Sequence, residues 1–122
     1  MMTTDILLVD DNPDIRRLLR AMLGRGRQIA EAEDGSTALR LIRELRPRLV
    51  FMDVMMPGEL NGLQVLSKLR EDPVLLSTPV VMVSARGQED DVRNAQRHGA
   101  DGYVVKPFGL KDLQPWVTKY LA

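Results

Sequence analysis

The segment "LVFMDVMMPG", Leu49 to Gly58, decides the fold. Four apolar residues run straight into a carboxylate, Asp53, and apolar residues resume before Pro57 and Gly58. A run of this length, closed by a turn signal, reads as a strand covered on both faces. A lone ionised Asp at the end of such a strand costs free energy unless something pairs with it. Asp53 therefore needs a partner, and its position asks for a use.

Working outward, apolar runs of strand length alternate with stretches of helical period. "DILLV" (5–9), "QIAEA" (28–32), "RLVFM" (48–52), "VVMVS" (80–84) and "GYVV" (102–105) read as five strands. Ile15, Leu18, Leu19 and Met22 form one apolar stripe at helical spacing, and Ala38, Leu41, Ile42 and Leu45 form a second. Asn12 followed by Pro13 predicts the cap and first turn of the first helix. Gly24 and Gly99 suit helix ends, and Pro47, Pro73 and Pro79 stand where helices have already stopped. Strand and helix repeated five times predict an α/β fold, a doubly wound parallel sheet with helices on both faces. In such sheets ligands bind beyond the carboxyl ends of the strands. The polar residues that end the strands are Asp10 and Asp11, Asp53, Ser84 and Lys106. Glu33 and Asp34 sit in a turn signal and read as solvated loop.

The chain of 122 residues has the size of one domain, 1–122, and is 44% hydrophobic and 28% charged. Its 17 acids balance 17 bases, so no overall field marks a nucleic-acid or membrane binder. No apolar run approaches the roughly 20 residues that span a bilayer. "MMTTD" lacks a secretory pattern, and without cysteine there is neither a disulfide framework nor thiolate chemistry. A cytoplasmic protein is the expectation.

Three carboxylates gathered at one sheet edge repel one another. At about 4 Å and an effective dielectric near 20, each pair costs on the order of 4 kcal/mol. Lys106 supplies one positive charge; the oxygen-only donors call for a hard cation besides, Mg²⁺ first, with Mn²⁺ as a substitute. Such a metal keeps open positions for phosphate oxygens, while Ser84 can donate to one and Lys106 neutralise another. Asp53 is then the natural nucleophile, forming an aspartyl phosphate.

Here the motifs "LLVDDNPDIRRLL", "DVMMPGELNGLQVL", "VVMVSARGQEDD" and "GADGYVVKPF" carry a resemblance. The chain resembles a response-regulator receiver domain (CheY-like) of two-component phosphorelay signalling over nearly its whole length. The resemblance implies a flavodoxin-like sheet with strand order 2-1-3-4-5. It implies that Asp11, Asp53 and the Met55 backbone carbonyl ligate Mg²⁺ directly, with Asp10 acting through water. The phosphoryl donor would be a phosphohistidine on a histidine kinase or histidine phosphotransfer protein. Ser84 and Lys106 would hold phosphoryl oxygens, Tyr103 would be the aromatic switch, and the Lys106–Pro107 peptide would be cis. Downstream protein partners, or a second copy of the chain, would meet the face of helix 4, strand 5 and helix 5.

Each motif alone has an ordinary explanation. "DDNP" serves as a helix cap, Ser84 as a bond to backbone, "KPF" as a turn, and Met52, Met55 and Met56 as core filler. His98 belongs in a last helical turn. Conjunction gives the specificity, since five complementary polar residues fall at four strand ends. Rival readings are a Mg²⁺-dependent phosphatase, a nucleotide-binding module and a receiver that binds partners without phosphorylation. The residue two beyond Asp53 is Met55, which transfers no proton, and "VDDNPD" lacks the glycines of a pyrophosphate loop. A receiver excised from a longer hybrid kinase or transcription factor remains open.

Three further expectations concern the rim. "PGELNG" is one residue longer than the common receiver loop, with Gly62 five beyond Pro57. Helix 4, "EDDVRNAQRHG", offers only Val92 and Ala95 as apolar anchors, which suits a switching element. Pro115 predicts a last helix capped by Asp112, or a short non-helical lead-in, because an earlier start would cost about 3 kcal/mol. Trp116 and Tyr120 would lie on the partner face or in the core.

Overall fold

The structure is a computed structural model that describes residues 3–121. Met1, Met2 and Ala122, the ends of the 1–122 span, lie outside the described residues. Strands β1 (Ile6–Val9), β2 (Ile29–Ala32), β3 (Leu49–Asp53), β4 (Val80–Ser84) and β5 (Gly102–Val105) alternate with five helices. The helices are α1 (Pro13–Leu23), α2 (Gly35–Leu45), α3 (Gly62–Glu71), α4 (Glu89–Arg97) and α5 (Leu110–Leu121). All neighbouring strands pair in parallel, in the order β2-β1-β3-β4-β5. Expected strand ends differ by at most a residue; β3 ends on Asp53 itself rather than before it.

The continuous apolar runs are explained by a core on each side of the sheet. Leu7, Val9, Val50, Met52, Val80 and Met82 pack with Ala38, Ile42, Val65, Leu69 and Ala95 of α2, α3 and α4. The alternate residues Ile6, Leu8, Leu49, Phe51, Val81 and Val83 pack with Leu19 and Leu23 of α1 and with Leu113 and Val117 of α5. Both faces being apolar, the polar strand-end residues are confined to the rim.

The helix starts follow local chemistry. Asn12 accepts the Asp14 N–H at 2.9 Å and Pro13 opens α1, as expected. Asp34 corrects the loop reading: it caps α2, accepting the Thr37 N–H at 2.7 Å. That bond holds its carboxyl below the usual range. His98 ends α4, its Nδ1 2.7 Å from the Asn94 carbonyl, which makes that nitrogen the donor.

The last helix is also corrected. It starts at Leu110, and Pro115 lies inside it. Asp112 is not the cap; its carboxylate reaches back to the Gly109 N–H at 2.7 Å. Buried Leu113 and Val117 anchor the helix on either side of Pro115. Pro115 and Lys111 are exposed, so water can take the Lys111 carbonyl that proline leaves unpaired. Trp116 and Tyr120 are half-buried against the same core, and a Cβ on Gly102 would stand 2.6 Å from the Trp116 ring. Trp116 is thus largely a packing residue that uses the bare backbone of β5.

Restoring the missing hydrogen bond should stabilise α5 more than the lost rigidity of the unfolded chain costs. Pro115→Ala is therefore expected to raise stability by roughly 2 kcal/mol in urea unfolding. A neutral or destabilising result would mean that the helix is already relieved at that point.

Candidate functional site

Strand register assembles the site. Val9 pairs with Met52, Asp53 with Val83 and Ser84 with Val105, so β1, β3, β4 and β5 end side by side. Asp10 follows β1, Asp53 and Ser84 close β3 and β4, and Lys106 follows β5, its N–H on the Ser84 carbonyl at 2.8 Å. Asp10, Asp53 and Ser84 are 2%, 7% and 1% exposed and are the buried polar residues among those described. Asp11 is exposed.

Lys106 holds the two buried acids together. Its Nζ donates to Asp10 Oδ2 at 2.9 Å and lies 3.5 Å from Asp53 Oδ2. The other oxygens are served by backbone: Asp10 Oδ1 by the Asn12 N–H at 2.9 Å, Asp53 Oδ1 by the Met55 N–H at 3.2 Å. Burial and the neighbouring Asp10 charge push the Asp53 carboxyl up, against the opposing pull of Lys106 and the Met55 N–H. Burial alone would lower the Lys106 ammonium, but its hydrogen bond to Asp10 and the two carboxylate charges win, and its pKa is raised.

One oxygen each from Asp10, Asp11 and Asp53 lie within 4.8 Å of one another. The donor chemistry fits a hard divalent ion such as Mg²⁺ or Mn²⁺. Met55 follows Asp53 closely enough for its N–H to reach the carboxylate, which places its backbone beside the acids. Its side chain is 53% exposed, which corrects its place in the expected Met core; Met52 is core, and Met56 packs partly against it. The Lys106–Pro107 peptide is cis, as expected.

Ser84 Oγ accepts the Arg86 N–H at 3.1 Å, leaving the hydroxyl proton free to donate. The Arg86 carbonyl in turn accepts from the Tyr103 hydroxyl. One residue, Arg86, therefore connects the strand-end serine to the half-buried tyrosine. That connection has no signature in the sequence.

Two further features escaped the sequence reading. Gly62, in the longer loop, opens α3 with its Cα against the site: a Cβ there would stand 2.0 Å from the Asp53 carbonyl oxygen. Its N–H donates to the Val54 carbonyl at 2.9 Å, so the extra residue is taken up before Gly62 and the close approach is kept. Asn61 and Gln64 then close a capping box, at 2.9 and 2.8 Å. Second, Arg16 and Glu31 form an ion pair at 2.9 Å beside the acids. Alternation in "IAEA" marks Glu31 as standing on a different face from its neighbours, but nothing local points Arg16 toward it.

The same fold occurs in known proteins. Residues 6–118 match the family described as the response regulator receiver domain, and the chain belongs to that family. It is 45% identical over 109 residues to the DNA-binding response regulator MtrA of Mycolicibacterium smegmatis, covering 88% of this chain and 46% of that protein. It is 40% identical over 113 residues to the transcriptional regulatory protein SrrA of Staphylococcus aureus, covering 92% and 45%. The chain thus spans a little under half the length of these relatives. Among solved structures, the chemotaxis protein CheY4 of Vibrio cholerae superposes with a TM-score of 0.86 at 26% identity, over 97% and 98% of the chains. The receiver domain of the Francisella response regulator 1452 gives 0.87 at 28%, over 97% and 96%. The chain is a receiver domain of two-component signalling, with the CheY-like fold.

Gly62→Ala places a methyl group into the Asp53 backbone. It is expected to cost roughly 3 kcal/mol, the upper range for overpacking. Thermal unfolding of the variant checks this; unchanged stability would mean that α3 can withdraw from β3.

Proposed function

We propose that the domain accepts a phosphoryl group on Asp53 from a phosphohistidine and passes the event to protein partners. The single observation that carries this reading is Lys106 Nζ set between Asp10 and Asp53 at 2.9 and 3.5 Å, in a pocket whose acids remain in excess. In the proposed step a carboxylate oxygen of Asp53 attacks phosphorus, and the phosphorus–nitrogen bond of the donor breaks. The bonding pair stays on the imidazole. Lys106 neutralises one phosphoryl oxygen and Ser84 donates to another. Asp11, Asp53 and the Met55 carbonyl would hold Mg²⁺ or Mn²⁺, with Asp10 through water; the ion would supply charge that lets a dianion approach the acids.

Water returns the phosphoryl group to solution slowly, because Met55 offers no proton transfer two residues beyond Asp53. The domain is on this reading a self-phosphorylating timer rather than a turnover enzyme. Its donor is a histidine kinase or histidine phosphotransfer protein in the cytoplasm, and the receiver unit is the span 1–122. Output passes through the face of α4, β5 and α5 to a protein partner or a second copy, without direct contact with nucleic acid or membrane. MtrA and SrrA are named as DNA-binding and transcriptional regulators. A longer chain of that kind would carry the signal onward from the same face.

The switch proposed is local. A phosphoryl group that draws the Ser84 hydroxyl alters the bond to the Arg86 N–H, and with it the carbonyl that holds Tyr103. Helix α4, with Ala95 as its one fully buried side chain, follows cheaply.

Incubation with acetyl phosphate and magnesium should add the mass of one phosphoryl group to the wild-type chain and none to Asp53→Asn. Labelling of both, or of neither, would sink the assignment; neither would favour a receiver that only binds. With beryllium fluoride bound, amide exchange in α4 should differ from that of the free protein. Equal protection in the two states would remove α4 from the switch.

A further inference from the structure

Arg16 stands on the first turn of α1, and its guanidinium is divided between two elements. Nη1 donates to the Asp10 backbone carbonyl at 2.6 Å, and Nε donates to Glu31 Oε1 on β2 at 2.9 Å. The second Glu31 oxygen accepts Arg20 Nε at 2.8 Å, and Arg20 also donates to the Ile29 carbonyl at 3.3 Å. Burial alone would raise the Glu31 carboxyl, but two guanidinium hydrogen bonds hold it below the usual value. Glu31 is thus a fixed, charged anchor for Arg16.

Every polar atom of Asp10 is engaged. Its N–H donates to the Ala32 carbonyl at 3.1 Å, its carboxylate takes Asn12 and Lys106, and its carbonyl takes Arg16. That carbonyl belongs to the planar peptide joining Asp10 to Asp11. Asp11 is different. Its exposed carboxylate has no hydrogen bond or ion pair among the described residues, although one of its oxygens lies within 4.8 Å of those of Asp10 and Asp53. Only its backbone can hold it there.

We infer that Arg16, braced by Glu31, is a positioning residue: by gripping the Asp10–Asp11 peptide it presents the Asp11 carboxylate to the divalent cation. The inference rests on the reading of Asp10, Asp11 and Asp53 as a cation site. The sign of the effect separates positioning from simple charge. Removing a cation near three acids would tighten cation binding by Coulomb attraction alone. Losing the grip on the peptide loosens it. Lysine keeps the charge but lacks the fork that reaches two acceptors in fixed directions, so Arg16→Lys should behave as a loss.

The test is Mn²⁺ binding to the full chain, followed by the electron paramagnetic resonance of the free ion, with urea unfolding alongside. Arg16→Ala, Arg16→Lys and Glu31→Gln are each expected to weaken Mn²⁺ binding by about 10–100-fold, the usual effect of losing a group that orients a ligand. Arg20→Ala, which removes the other half of the Glu31 pair, should lose stability and keep wild-type affinity. If Arg16→Ala does not fold, Arg16→Lys carries the same expectation on its own, because Glu31→Gln also removes a negative charge and would weaken cation binding by Coulomb attraction alone. Variants at Arg16 and Glu31 that lose stability but bind as tightly as wild type, or tighter, overturn the positioning role while leaving the cation site standing. A wild-type chain that binds no Mn²⁺ overturns the cation site and this inference together.

Discussion

The ammonium of Lys106, shared between Asp10 and Asp53, is the interaction on which the rest of the rim depends. Two buried carboxylates this close would repel by a few kcal/mol at a protein-like dielectric. One lysine between them offsets that repulsion, and burial strengthens the attraction as well as the cost. A third acid, Asp11, remains at the mouth. Three acids against one base leave the pocket short of positive charge. A cation taken in there would offset that excess.

The scaffold keeps this grouping of like charges in place through the backbone around it. Parallel register brings four strand ends level. Gly62 then lets α3 start directly against the Asp53 carbonyl, which a side chain would forbid. At the opposite end of the strands, before β4 and β5, Arg70 performs a similar service. Its guanidinium reaches the carbonyls of Gly99, Leu76 and Thr78 and the carboxylate of Asp101, at 2.8 to 2.9 Å. The exit from α4 is therefore pinned, while the helix itself buries one side chain. The helix is thus tied firmly at its exit and packed sparsely along its length.

Much of this was legible in the sequence because the signals were local or periodic. Strand runs buried on both faces, the Asn12–Pro13 start and the polar residue closing each strand all announce themselves within a few positions. What stayed hidden depended on residues far apart in the chain. Glu31 meets Arg16 and Arg20 only once β2 lies beside β1, and Arg86 links Ser84 to Tyr103 only once β4 lies beside β5. At Asp34 the sequence is ambiguous, because a turn signal and a helix cap use the same residue types. At Pro115 the packing of Leu113 and Val117 overrides the local preference for a later helix start.

The link through Arg86 also bears on how much free energy a signal could move. Ser84 grips one end of this residue by its N–H, and Tyr103 grips the other by its carbonyl. Each bond is worth on the order of 1 kcal/mol net, so the linkage can bias a balance but cannot force one. A surface switched this way must already lie within a few kcal/mol of its alternative. On the proposed reading the sparse packing of α4 would keep that gap small, whereas the fully buried β3 and β4 would hold the strand-end residues fixed in either state. Burial is thus dense around the strand ends and sparse along α4, the distribution that the proposed switch would need.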